Sequence, residues 1–315
     1  MIEVEGLVKE YGAFRAVDEV SFRVRPGEIV GFLGPNGAGK TTTLRVLAGY
    51  HAADRGRARV AGFDVLEDSL QARRSLGYLP EQVPIYPDMR VEEYLRFRAA
   101  LKGVPKKARR TRVHEAMEIA GVVEMRRKLV GQVSRGYRQR VGLADALVGD
   151  PPALILDEPT SGLDPNQRRK VRESIRSLAG VRTILFSSHI LSDVEAVCDR
   201  ILLIHRGRIL ADGALDSLVR ESGRTRIRVR VRAGKEEAQG LCAGIPLGGP
   251  PLLEEEGDGF LSLDLPLEEG AGSEGDRWLD LLSSRIREAG LSLRELRLDE
   301  PDLEGLFHQL TKEKA

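Results

Sequence analysis

One stretch governs what this chain can fold into: Gly34-Pro35-Asn36-Gly37-Ala38-Gly39-Lys40-Thr41-Thr42. It fits the pattern G-x-x-x-x-G-K-[ST]. Its surroundings fit too, because the apolar run Ile29-Val30-Gly31-Phe32-Leu33 enters it and a helical pattern over residues 42–48 leaves it. A strand that turns through glycines into a helix presents inward backbone N–H groups and a positive helix end to an anion. The predicted ligand is therefore the phosphate chain of a nucleotide, held by all nine residues. Lys40 reaches the β- and γ-phosphates, and the Thr41 hydroxyl lies on Mg²⁺. A chance lysine in a glycine-rich turn is the bland alternative, and the strand, helix and three glycines together argue against it.

Two further elements supply chemistry that suits such a loop. Ala153-Leu154-Ile155-Leu156 reads as a buried strand, and Asp157-Glu158 follows it where open parallel sheets bind ligands. Asp157 is expected to hold Mg²⁺ directly or through water, and Glu158 to polarise the water that attacks the γ-phosphate. The run Thr183-Ile184-Leu185-Phe186 ends in Ser187-Ser188-His189, which puts His189 at the mouth of the sheet, in reach of the γ-phosphate. Asp164, closing Ser161-Gly162-Leu163-Asp164, reads from its residues alone as a helix cap.

The 315 residues exceed one typical domain, so a large first domain and a smaller second one are expected. A net charge of +1 leaves no overall basic footprint for nucleic acid. The local runs at Arg109, Arg110 and Arg112 and over residues 224–232 read as a solvated helix face and an edge strand. Two cysteines, Cys198 and Cys242, suit a reducing compartment. The N-terminus carries Glu3 and Glu5 where a signal peptide carries bases, and no apolar run approaches the ~18 residues of a membrane span. Any membrane role is expected to come through a partner.

Short strands are predicted over residues 2–4, 20–24 and 29–33, a hairpin edge over 56–65, and a strand closing at Gly77-Tyr78-Leu79-Pro80. From residue 91 to 148 apolar residues recur at three and four, with a last helix over about 136–148 that Ser134 caps. Beyond residues 211–213 the character changes. A one-sided strand over 222–232 precedes a segment rich in Gly, Pro and Glu at 240–259. A strand (260–265), a helix (278–287), a strand (291–298) and a closing helix (302–310) follow.

Taken together, Tyr11, the loop at 34–42, Val133-Ser134-Arg135-Gly136-Tyr137-Arg138-Gln139-Arg140, the acidic strand at 153–158, the turn at 161–164 and His189 resemble the ATPase of an ABC transporter in order and spacing. The likeness covers about residues 1–220. It implies an α/β P-loop NTPase fold, with a RecA-like, mostly parallel sheet core, an antiparallel β subdomain and a helical insertion at about 83–148. These make up a nucleotide-binding domain over 1–221, followed by a small α+β accessory domain over 222–315. It further implies ATP and Mg²⁺ as cofactors, Tyr11 stacked on adenine, and a head-to-tail dimer with two sandwiched ATP molecules. In that dimer Ser134 and Gly136 face the γ-phosphate bound by the second subunit, and Asp164 couples the two sites.

The usual signature of that family, Leu-Ser-Gly-Gly-Gln, is here Val133-Ser134-Arg135-Gly136-Tyr137, in which Arg135 adds a cation able to meet phosphate. Its Mg²⁺-sensing glutamine aligns with Glu81, while Gln82 stands one residue later, and both remain candidates. These departures, with Gly77-Tyr78-Leu79-Pro80-Glu81 and Leu303-Glu304-Gly305-Leu306-Phe307-His308-Gln309-Leu310-Thr311, resemble the stand-alone ATPases of type-2 exporters, including drug, antibiotic and gliding-motility types. Such subunits imply a separate membrane permease and a cytoplasmic position on the inner face of the membrane. The rival is a soluble ABC ATPase acting on nucleic acid or ribosomes. Those usually carry two cassettes or a long coiled coil, and this chain has one phosphate loop and no heptad run. For the C-terminal domain, a dimer-stabilising or docking module is favoured over a regulatory ligand sensor.

Overall fold

Alternation at the very start of the chain builds its first sheet. In the computed structural model, which describes residues 1–221, 225–256, 259–268, 271–300 and 305–307, β1 (Ile2–Tyr11) and β2 (Phe14–Val24) form a long antiparallel hairpin. Ile2, Val4, Val20, Phe22 and Val24 are buried on one face, as period-two patterning demands. After β3 (Ile29–Leu33) and α1 (Lys40–Leu47), β4 (Arg55–Val60) pairs with β1 and with the short β5 (Phe63–Asp64), giving the order β2-β1-β4-β5.

The second sheet is mostly parallel. It uses β3, β6 (Leu76–Leu79), β7 (Ala153–Asp157), β8 (Thr183–Ser188), β9 (Arg200–His205) and β10 (Arg208–Ala214) in the order β10-β9-β3-β8-β7-β6. Every residue of β3, β7 and β8 is buried, because helices cover both faces of such a sheet and the strands become continuous apolar runs. Only β10 runs antiparallel to its neighbour. The register matters for function: Leu33 lies beside Ser188, and Asp157 beside Ser187, so β3, β7 and β8 end together at one edge.

Between β5 and β6 lies α2 (Ser69–Arg74), a short helix without a periodic signal. The insertion between β6 and β7 carries α3 (Val91–Leu101), α4 (Arg109–Ile119) and α5 (Arg135–Leu147). Buried Asp145 of α5 ties α3 to it, accepting two bonds from Arg98 Nε at 2.9 Å and pairing with Lys102 at 3.1 Å. Two helices alternate with the last parallel strands, α6 (Pro165–Arg176) before β8 and α7 (Leu191–Val197) after it.

The chain divides into units at Met1–Leu215 and Asp216–Ala315, and α8 (Leu215–Glu221) begins at that boundary. The second unit has its own sheet, with β11 (Arg226–Arg232), α9 (Lys235–Leu241), β12 (Leu252–Glu256), β13 (Phe260–Pro266), α10 (Gly275–Glu288) and β14 (Ser292–Asp299). Its order is β12-β13-β11-β14, antiparallel throughout. Ile227, Val229 and Val231 join Leu261, Leu263 and Leu265 and the α10 residues Leu282 and Ile286 in a separate core.

Two sequence expectations need correction here. The arginine-rich β11 is central and not an edge strand, because acids on both neighbouring strands neutralise it: Arg226 pairs with Asp264 at 3.2 Å, and Arg228 with Asp299 and Arg230 with Glu295, each at 3.4 Å. The segment at 240–259, legible only as Gly- and Pro-rich, contains β12. Of the expected closing helix only residues 305–307 are described, and they are helical; 302–304 and 308–310, with Thr311, lie outside the described residues.

Candidate functional site

The phosphate loop follows β3 at the point where the parallel sheet reverses its strand order, and α1 starts at Lys40. Gly39 is the hinge. Its φ is 103°, and a Cβ there would lie 2.5 Å from the Ala16 carbonyl oxygen, so only glycine fits. The loop is pinned by Gly207 N–H donating to Ala38 O at 2.9 Å and by Thr43 Oγ1 donating to Gly39 O at 3.0 Å.

Lys40 is only 5% exposed and curls beneath this loop. Its Nζ donates to Gly34 O at 2.6 Å and to Pro35 O at 3.2 Å, and lies 3.3 Å from Glu158 Oε1. Glu158 adopts a left-handed φ of 49°, which a non-glycine residue takes at a cost in strain and which aims its carboxylate back into the cleft. Its Oε2 stands 2.8 Å from His189 Nδ1. β7 and β8 therefore deliver their C-terminal residues to the same few ångströms as the loop.

Asp157 is the other charged group at this edge, and it is 1% exposed. Ser187 Oγ donates to its Oδ1 at 2.8 Å while accepting the Glu158 N–H at 2.9 Å, and Thr41 Oγ1 donates to the same Oδ1 at 3.3 Å. Burial pushes the Asp157 carboxyl above the usual carboxylate range, with the Ser187 and Thr41 bonds opposing that shift. Its Oδ2 is buried without a hydrogen-bond partner among the described residues. A bare carboxylate oxygen beside a threonine hydroxyl fits a hard divalent cation that completes its shell with phosphate oxygens and water. Among the described residues no group of three His, Cys, Asp or Glu converges as a cage.

Lys40, Thr41, Glu158 and His189 line a cleft of about 430 Å³, whereas Asp157, Gly34 and Ala38 lie behind its lining. Asn36, Gly37, Lys40, Thr41, Thr42, Glu158, Ser161 and His189 are among its polar and loop lining, and Tyr11, Phe14 and Ala16 among its apolar lining. Glu81 lines the wall and acts on Asp157 electrostatically, whereas Gln82 is not part of the lining. Ser161, Phe14 and Ala16 were not singled out from sequence. The signal for Phe14 was available: it sits opposite Tyr11 across the tight turn of the first hairpin.

The remaining candidates lie elsewhere. Ser134 caps α5, accepting from Tyr137 N at 3.4 Å, and Asp164 caps α6, accepting from Asn166 N and Gln167 N at 3.0 Å each. Neither they nor Arg135 and Gly136 line the cleft of their own chain. The exposed Arg135 guanidinium packs on Gly162, where a Cβ would come within 2.5 Å of Arg135 Cζ, and it makes no hydrogen bond or ion pair among the described residues. Tyr137 donates its hydroxyl to Glu124 Oε1 at 2.9 Å and stacks under Arg140, whose guanidinium carbon is 4.2 Å from the ring centroid.

Comparison with known proteins adds an independent line. A family model described as ABC transporter matches residues 17–161. The chain is similar to YxlF of Bacillus subtilis, an uncharacterized ABC transporter ATP-binding protein, with 41% identity over 218 residues, 69% of this chain and 72% of that one. It is similar to the doxorubicin resistance ATP-binding protein DrrA of Mycobacterium tuberculosis, with 35% identity over 314 residues, 98% of this chain and 93% of that one. Among solved structures, an ATP binding subunit of an ABC transporter matches with a TM-score of 0.64 at 31% identity, covering 70% of this chain and 92% of its own.

Proposed function

Because the chain belongs to the ATP-binding proteins of ABC transporters, we propose that its cleft binds Mg²⁺-ATP and hydrolyses it to drive export through a separate membrane permease. The observation that carries the mechanism is the convergence of Lys40, Glu158 and His189 at the mouth of the parallel sheet, beside the bare Asp157 Oδ2.

Loop N–H groups from residues 34–42 and the Lys40 ammonium bind the β- and γ-phosphates; in doing so Lys40 exchanges its carbonyl contacts for phosphate oxygens. Thr41 and Asp157 would hold Mg²⁺, with Glu81 beside them, and the ion when bound would neutralise charge that develops on the phosphates. Glu158 accepts a proton from the attacking water, and His189, bonded through Nδ1, keeps the carboxylate aimed at it. Tyr11 stacks on adenine. A loop covers only one side of a triphosphate, so a second copy supplies Ser134, Arg135 and Gly136 to the exposed side, and Asp164 joins the two sites.

Among the described residues no helix is long and apolar enough to cross a membrane, and the permease carries that task. The catalytic subunit works at the cytoplasmic face, and residues 222–315 act as a dimer-stabilising or docking module. Doxorubicin resistance, named for the mycobacterial relative, supports export of a drug or antibiotic-like molecule.

The test is a pair of variants. Lys40→Ala abolishes binding or turnover. Glu158→Gln retains ATP binding and lowers steady-state hydrolysis about 10²–10⁴-fold, the usual worth of a positioned base. Light scattering of Glu158→Gln then shows a monomer becoming a dimer on addition of Mg²⁺-ATP. Normal turnover by this variant would sink the mechanism.

A further inference from the structure

The apolar lining of the cleft includes two aromatic residues, and the nucleotide reading above uses only one. Tyr11 and Phe14 are directly opposed partners in the β1–β2 pair, so their side chains leave the hairpin on the same face. Tyr11 is already engaged on its own sheet: its ring meets His51 edge-on with centroids 6.1 Å apart, and Lys9 Nζ lies 5.6 Å from its centroid. Phe14 has no such company. It is 63% exposed, against 46% for Tyr11, and among the described residues it contacts no aromatic ring or cation. It nevertheless lines the same continuous cleft as Lys40 and Thr41.

Resting on the nucleotide reading of this cleft, we infer that Phe14 is a second nucleoside-binding residue, packing its ring against the base and ribose of the ATP whose phosphates Lys40 holds. An exposed phenylalanine in the lining of a polar cleft gains most from covering an apolar ligand face, and a purine offers one next to the triphosphate. Tyr11 gives that site one wall, and Phe14, from the opposite strand, gives it another. The ring has no hydrogen-bonding atom, so it strengthens binding of the nucleoside without touching the phosphates.

That division sets the test on the full-length chain. Phe14→Ala is expected to weaken ATP and ADP binding by roughly 5- to 150-fold, the range of one base–aromatic contact. Binding of inorganic tripolyphosphate stays within twofold of the unsubstituted protein. KM for ATP rises while kcat holds, and Phe14→Leu recovers part of the affinity. Phe14→Trp gives an emission change on ATP addition that the unsubstituted protein, with Trp278 alone, lacks. Unchanged ATP affinity in Phe14→Ala, or an equal loss for tripolyphosphate, overturns the assignment of Phe14 and leaves the ATPase reading standing. Failure of the unsubstituted protein to bind ATP overturns the nucleotide reading itself.

Discussion

In the proposed mechanism Asp157 destabilises the empty protein and is needed in the loaded one. Burial raises its carboxyl pKa, so the folded chain binds this proton more readily than the unfolded chain does. The resulting relative stabilisation is complete below the ordinary carboxylate pKa of about 3.9 and is lost as pH climbs through the higher folded value. Without nucleotide, Asp157→Asn should therefore melt above the unsubstituted protein at pH 7, with the gap closing as pH falls toward 4. With Mg²⁺-ATP the order should reverse, because only the carboxylate attracts the cation. Thermal melts at the two pH values, with and without Mg²⁺-ATP, check both halves. The place of Asp157 at the sheet edge was readable in sequence only through the phosphate loop ahead of it, because an acid pair after a strand, taken alone, is more often a helix cap. Its Ser187 contact was not, because it depends on which strands become neighbours, and that is a long-range property of the sheet.

At the scale of elements, α5 combines a cap and a clamp. Loss of an N-cap costs about 1 kcal/mol, and the Ser134 bond of 3.4 Å is a long one, so Ser134→Ala should lower unfolding stability by no more than that. If Ser134 also meets the γ-phosphate of a partner, hydrolysis should fall more than tenfold in the same variant; denaturant titration and turnover assays separate the two effects. Asp145→Ala should cost more, about 2–3 kcal/mol, because it strands Arg98 and Lys102. A fully buried pair would cost about 3–5 kcal/mol, but these two side chains remain 29% and 25% exposed. The periodicity of α3 and α4 was plain in sequence, and so was the cap of α5. The helices α2 and α9, at six and seven residues, span too few turns to show a period, and only their tertiary setting makes them helical. The charged strand β11 looked like an edge because the acids paired with Arg226 and Arg228 lie 38 and 71 residues away, on β13 and β14.

Across the whole molecule, a buried cluster of the first unit, built on Ile2, Val30, Phe32, Leu44 and Leu202, and the buried cluster of the second unit have no member in common. Every residue lining the cleft falls between Tyr11 and His189. A chain ending after Glu221 should therefore bind ATP within about twofold of the full chain, measured by equilibrium titration, since a unit with its own core can fold alone. If the second unit is the assembly module proposed for it, the shortened chain should lose dimerisation or transport; retention of both would remove that role. Two cores built from separate stretches of chain also shape descent. Recombination near codon 216 would hand on an intact engine together with a different tail, so duplicated copies of such a gene can exchange the second unit while the part that burns nucleotide is inherited unchanged.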